Sequence, residues 1–193
     1  MEDKKFHRVG FHPWIGERYS GDNRFDVRVL VLGESHYDKK GNEGPAYTKE
    51  VVRRATQLPR TGKGRRQRFF TVAANVLRGK PGRIDNRDLA AVFQEIAFYN
   101  FIQTFAGDGP RGKPTFRQWV DAQEPLKIVL DALRPHAVLV LGLELGNHIL
   151  DWPAHIERTV TAHPASSRLR YDDAIPAFRD LIERAKQRVS QDA

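Results

Sequence analysis

The 193-residue sequence contains no cysteine, which excludes disulfide bonds, thiolate nucleophiles, cysteine-ligated zinc and cysteine-held iron–sulfur clusters. It also lacks any apolar run approaching the roughly 20 residues of a membrane span, and its start, M-E-D-K-K-F-H-R, lacks the apolar core of a signal peptide. Internal repeats and low-complexity tracts are missing as well. We therefore expect residues 1–193 to form one cytoplasmic, monomeric domain that has no contact with membrane.

An excess of positive charge is the first feature that is present. The formal net charge is +8 and the isoelectric point is about 9.9. Basic residues concentrate between Arg60 and Arg68, R-T-G-K-G-R-R-Q-R, where two glycines leave the backbone free to follow a ligand. This density predicts a nucleic-acid partner, with Arg65, Arg66 and Arg68 on phosphates. An ordinary basic enzyme surface is the alternative.

Apolar strand patterns alternate with helical patterns along the chain. Strands are predicted at 27–32, 97–102, 137–141 and 158–162, and helices at 48–58, 67–77, 85–96, 116–133, 143–150 and 172–189. Pro125 is expected to interrupt or restart the fourth helix. The alternation predicts an α/β fold of three layers, α/β/α, with a central four-stranded parallel sheet. Residues 1–25 are predicted to be an irregular arm anchored by aromatic side chains, which cap the core or, as the alternative, line the cleft.

Each predicted strand ends in residues that a purely structural role does not require. They are G-E-S-H-Y-D at 33–38, Asn100, Gly142, and H-P-A-S-S-R at 163–168. The carboxyl ends of parallel strands meet at one edge of a sheet, so these groups are expected to line one cleft. Structural roles remain open for each residue alone: Asn100 tying a turn, His163 packing in the core, and Ser166 or Ser167 capping a helix.

In the order and strand context of these motifs, the sequence resembles the uracil-DNA glycosylase superfamily. The counterparts are the motif from Gly33 to Tyr37, the aromatic Tyr47, Asn100 at a strand end, and the loop from His163 to Ser167. The similarity spans roughly residues 27–178 and leaves the N-terminal arm outside.

The resemblance implies a uracil-DNA glycosylase-like fold and hydrolysis of the bond between a base and its deoxyribose, after the nucleotide is flipped out of DNA, with no cofactor. Tyr47 would stack on the base, Asn100 would read its edge, and the backbone from Gly33 to Tyr37 would add contacts. His163 would stabilise the carbonyl oxygen that gains negative charge. The remaining assignments are phosphate contacts by Ser166, Ser167, Arg168 and Arg170.

The motif departs from the family pattern at two positions. Ser35 stands where active members commonly place an Asp or Asn that orients water, and His36 replaces the Pro that usually follows. A serine hydroxyl binds water but is a poor base, so Glu34 and Asp38 are the other candidates for the general base.

Three further interpretations compete with the glycosylase. Ser35 after a strand is also typical of some esterases, although their orienting Asp is missing at Val160 to Ala162. A metal site formed by His36 and Asp38 lacks a compact second pair of ligands. The third alternative is a catalytically silent module of the same fold that binds DNA or a base, which Ser35 favours.

Overall fold

The computed structural model of the chain describes residues 5–37, 44–56, 68–106 and 112–191. Of the predicted site residues, Asp38, Arg65 and Arg66 lie outside these ranges. The strands are β1 (Trp14–Ile15), β2 (Val29–Gly33), β3 (Ala97–Asn100), β4 (Ala137–Leu141) and β5 (Glu157–Thr161). They form one sheet in the order β1-β3-β2-β4-β5.

The α/β class is confirmed, but the predicted sheet of four parallel strands is wrong because this sheet is mixed and has five strands. β2 to β5 run parallel, whereas β1 pairs antiparallel with β3, with Trp14 opposite Phe98. The sequence predicts an irregular arm before residue 25 because β1, with two residues, is too short to show a periodic pattern. Its Trp14 is held by the sheet and by the indole N–H, which donates to the Phe93 carbonyl at 2.7 Å.

Helices occupy the connections between strands β2 to β5, and a long helix follows the last strand. They are α1 (Tyr47–Thr56), α2 (Arg68–Leu77), α3 (Asn86–Phe93), α4 (Phe116–Asp121), α5 (Gln123–Leu133), α6 (Leu143–His148) and α7 (Tyr171–Gln191). Local sequence explains several ends: Asp85 accepts from the Asp88 N–H to cap α3, and Thr115 with Gln118 forms a capping box on α4. The break falls at Ala122, and Pro125 lies in the first turn of α5, where its missing N–H costs little.

Two separate hydrophobic cores lie on the two faces of the sheet. Val29, Val31 and alternate residues of β3 and β4 contact α1, α2, α3 and α7. Leu30, Leu32 and the intervening residues contact α4, α5 and α6. Strand side chains point to opposite faces in turn, so one apolar strand supplies both cores. The helices thus form two groups, one on each face of the sheet.

The N-terminal arm packs against both cores. Its aromatic residues Phe6, Phe11, Trp14 and Tyr19 are all buried. Glu95, before β3, forms ion pairs with Arg18 and Arg24 of the arm. No helix in the described part of the chain has both the length and the apolar character of a membrane span.

Candidate active site

A cavity of about 310 Å³ opens at the carboxyl ends of β2 and β3. This volume lies at the lower end of the roughly 300–1,000 Å³ typical of small-molecule sites. The predicted residues Glu34, Ser35, Tyr37, Tyr47, Asn100 and His163 all line it, together with His36, Val51, Arg54, Phe69, Phe70 and Phe98. Residues from five separate segments of the chain therefore meet, as expected for the edge of an open α/β sheet at which ligands bind.

Asn100 owes its position to the glycine beside it. Gly33 and Asn100 are register partners at the ends of β2 and β3. A Cβ atom on residue 33 would lie 2.2 Å from Asn100 Oδ1, so only glycine lets the amide lie across the strand. Asn100 is buried, and its side-chain amide makes no hydrogen bond within the described residues. Its backbone carbonyl oxygen accepts a hydrogen bond from the Gln103 side chain. The amide is thus available to a ligand in the cavity.

The loop after β2 continues the strand pairing beyond its end. Backbone N–H groups of Phe101 and Ile102 donate to the carbonyls of Gly33 and Glu34, each at 2.9 Å, and the Ala106 N–H donates to the His36 carbonyl at 3.1 Å. These bonds hold residues 33–37 against the segment that follows β3. The predicted motif is therefore a fixed wall of the cavity.

His163 follows β5 and contacts Phe69, with their ring centroids 5.4 Å apart. The Ala165 backbone N–H donates to its Nδ1 at 3.2 Å, which assigns the proton of the neutral ring to Nε2. Burial lowers the pKa of this imidazole, so the neutral form predominates at neutral pH. His163 therefore offers the cavity an N–H donor without a positive charge.

Tyr47 begins α1 and belongs to an aromatic cluster. Its ring centroid lies 4.9 Å from those of His36 and Phe105 and 5.5 Å from that of Phe11. These neighbours fix the plane of the ring. Part of the side chain remains accessible and lines the cavity.

His36 is a structural residue of this cluster. It is buried, and its Nε2 lies 2.9 Å from Thr48 Oγ1. No group of three or more potential metal-ligating side chains occurs within the described ranges, although Asp38 lies outside them. His36 thus joins the loop after β2 to the start of α1.

The burial of His36 predicts a pH-dependent stability. Burial lowers its pKa from 6.5 to about 4. Between pH 6.5 and about 4 the unfolded chain therefore binds a proton at this residue and the folded chain does not. The free energy of unfolding is highest above pH 6.5 and decreases as the pH falls to about 4. The maximum effect is about 3 kcal/mol. Urea unfolding should show a weaker pH dependence of stability in His36→Gln than in the wild type. The control, His155→Gln, changes an exposed histidine and should keep the wild-type pH dependence. Equal pH dependence in all three proteins would contradict this prediction.

Glu34, Ser35 and Tyr37 bring ionisable and hydroxyl groups to the same wall. Burial, followed by the negative charge of Glu144, raises the pKa of Glu34, while Lys113 lowers it. Burial also raises the pKa of Tyr37, and the nearby Ser35 hydroxyl opposes this shift. Ser35 Oγ is buried and makes no hydrogen bond of standard geometry. Within the described chain Ser35 thus has no histidine partner of the kind an esterase nucleophile requires.

The predicted phosphate residues that the structure describes, Arg68, Ser166, Ser167, Arg168 and Arg170, do not line the cavity. Ser166 Oγ accepts from the Arg168 N–H at 3.1 Å, and the Ser166 N–H donates to the His163 carbonyl at 2.8 Å. Ser166 therefore stabilises the turn that carries His163, a local role that the sequence left open. Ser167 and Arg168 are exposed, and so is Arg68 at the start of α2.

Arg54, Val51 and Phe69 are cavity residues that sequence reasoning missed. Val51 and Phe69 pack at the edge of the core and line the cavity from there, and helical periodicity in the sequence does not distinguish this position from the core itself. Nothing in the local sequence distinguishes Arg54 from Arg53.

A larger cavity, of about 410 Å³, lies away from all predicted site residues. Arg28, Arg134, His136 and Arg188 line it near the C-terminal ends of α5 and α7, together with Asp131. Cations at this place compensate the negative ends of helix dipoles. Arg188 is also paired with Glu157. The charged residues of this cavity therefore have structural roles, and its larger volume does not make it the candidate site.

Comparisons of the sequence with protein families and with curated proteins identify no relative of this chain. No protein-family model matches the chain, and no curated protein matches it significantly.

Proposed function

We propose that this cavity binds a base flipped out of DNA and that the protein hydrolyses its N-glycosidic bond, with uracil as the simplest substrate and other damaged bases as alternatives. One observation carries the proposal: an unpaired amide, a neutral imidazole and an aromatic ring face one small cavity at the sheet edge. The fold assigned by this proposal is the three-layer, uracil-DNA glycosylase-like arrangement built around β2 to β5.

The cavity suits a flat heterocycle with polar edges. Phe69, Phe70 and Phe98 supply an apolar surface, and Tyr47 supplies an aromatic face for stacking. The Asn100 amide offers both a donor and an acceptor, the pair needed to bind adjacent N–H and C=O groups of uracil. A buried amide left without a partner is costly, so a base lacking those groups is disfavoured.

Hydrolysis breaks the bond between C1′ and the base nitrogen, and the base leaves with the electron pair. The negative charge spreads onto the adjacent carbonyl oxygen, which the His163 Nε2–H is suited to stabilise by a hydrogen bond. A neutral N–H donor binds the uncharged base only weakly before the reaction and more strongly once negative charge has developed on its oxygen. Water then adds its oxygen to C1′ and loses a proton.

Glu34 is our candidate for the acceptor of that proton. It lines the cavity, and its raised pKa brings it closer to the range in which a carboxylate is an effective base. Ser35 contributes a hydroxyl to the same wall but cannot replace a carboxylate. The proposed division of labour is therefore binding by Asn100, charge stabilisation by His163 and proton acceptance by Glu34.

The decisive experiment uses purified protein and an oligonucleotide with one uracil. Alkali cleaves the abasic product, so strand breaks at the uracil position are expected in single- or double-stranded DNA. Matched oligonucleotides with thymine or cytosine at that position should remain intact. Absence of cleavage at stoichiometric protein, on both strand forms and on a panel of modified bases, would contradict the enzymatic proposal.

A catalytically silent module that binds DNA or a base is the second candidate. The burial of Ser35 Oγ favours it, because this position commonly orients the water in active members of the family that the sequence resembles. Such a module would bind uracil-containing DNA more tightly than the thymine control and yet produce no abasic sites. The same oligonucleotides, studied by fluorescence anisotropy, separate the two candidates.

A further inference from the structure

Arg54 lies at the opening of the candidate-site cavity. Tyr47, Val51 and Arg54 line the cavity from α1, with spacings of four and three residues that place them on one face of the helix. The Arg54 side chain is 59% exposed, whereas the Tyr47 ring is enclosed by three other rings. This wall therefore runs from an enclosed aromatic ring to an exposed cation, roughly 10 Å apart along the helix axis.

The Arg54 guanidinium is largely uncommitted. Its one ion pair within the described residues is with Glu50, at 3.8 Å, and both side chains are more than half exposed. Such a pair contributes little, and a guanidinium carries five N–H donors. Most of these donors are thus available to a bound molecule.

We propose that Arg54 binds a phosphate of the nucleotide whose base occupies the cavity. The ligand class is then a nucleotide rather than a free base or a nucleoside, since neither of these carries a group for this cation. The inference rests on the proposed base-binding function. An aromatic and amide-lined interior with an arginine at its mouth matches the polarity of a nucleotide, and arginine binds phosphate in a two-pronged geometry that lysine does not reproduce.

Arg53 provides a matched control on the same helix. It has the same charge and is also exposed, but it does not line the cavity. A general attraction between a basic surface and a polyanion would depend on both residues alike. A phosphate site at the cavity mouth depends on Arg54 and not on Arg53.

The test compares two small ligands, 2′-deoxyuridine and 2′-deoxyuridine 5′-monophosphate, by NMR titration of wild type, Arg54→Ala, Arg54→Lys and Arg53→Ala. The 3′-monophosphate is a further ligand that identifies which phosphate is bound. We expect the wild type to favour a monophosphate over the nucleoside by about tenfold, the size expected for a charge-assisted hydrogen bond. Arg54→Ala should remove this preference and Arg54→Lys should reduce it, while Arg53→Ala should retain it.

The outcomes separate this inference from the function on which it rests. Equal affinity of the wild type for nucleoside and monophosphates, or an unchanged preference in Arg54→Ala, would overturn the role of Arg54 while the base site stands. Equal losses in Arg53→Ala and Arg54→Ala would also overturn it. If the wild type binds none of the ligands and does not cleave uracil-containing DNA, both proposals fail.

Discussion

Replacing His163 with Ala is expected to slow base excision by about 100- to 1,000-fold, the usual consequence of removing one donor from a developing oxyanion. The Ala165 N–H binds Nδ1 of the ring, so Nε2 carries the proton, which in our proposal is donated to the leaving base. The loss should fall mainly on kcat, because the hydrogen bond strengthens as the charge develops. Single-turnover cleavage of the uracil oligonucleotide measures it directly.

Two further variants test whether this histidine acts as a neutral donor. His163→Gln retains an N–H at a similar reach and should recover part of the lost rate. His155→Ala changes an exposed histidine before β5 and should leave the rate unchanged. Burial lowers the His163 pKa, so the neutral donor is the form present at pH 7. A full rate in His163→Ala would contradict the assignment.

Gly33→Ala is expected to damage base binding by displacing the Asn100 amide, although residue 33 itself has no side chain in the cavity. The added methyl group would meet Asn100 Oδ1 at 2.2 Å and Phe98 Cζ at 3.2 Å, so the amide must move. We expect at least a tenfold loss of affinity for the uracil oligonucleotide. Overpacking of this kind should also destabilise the fold by about 1–3 kcal/mol.

The matched control for this variant is Gly21→Ala, because a Cβ at position 21 meets nothing within 4 Å. A double variant isolates the cause. In an Asn100→Ala background the methyl group at position 33 no longer meets the amide oxygen, so Gly33→Ala should cost less stability there than in the wild type. Equal costs in the two backgrounds would show that the clash with Asn100 is not what makes glycine necessary. Urea unfolding provides the stability measurement.

Strand positions were predictable from sequence because burial leaves a local signature. A strand with apolar side chains on both faces reads as a continuous apolar run, and the observed β4 coincides with the predicted 137–141. The convergence of Asn100, His163 and the loop after β2 followed from parallel pairing alone. The two-residue β1 could not be predicted, because its pairing depends on a partner over 80 residues away.

The sequence by itself determined the α/β class, the order of the strand ends and the chemical groups at each end, because hydrophobic periodicity and chain topology decide these features. Only the tertiary structure decided what each group faces. Packing committed His36 to the aromatic cluster, left the Asn100 amide open above Gly33, and placed Arg54 rather than Arg53 at the cavity. The direction of a side chain depends on neighbours that are distant in sequence, and no local pattern records them.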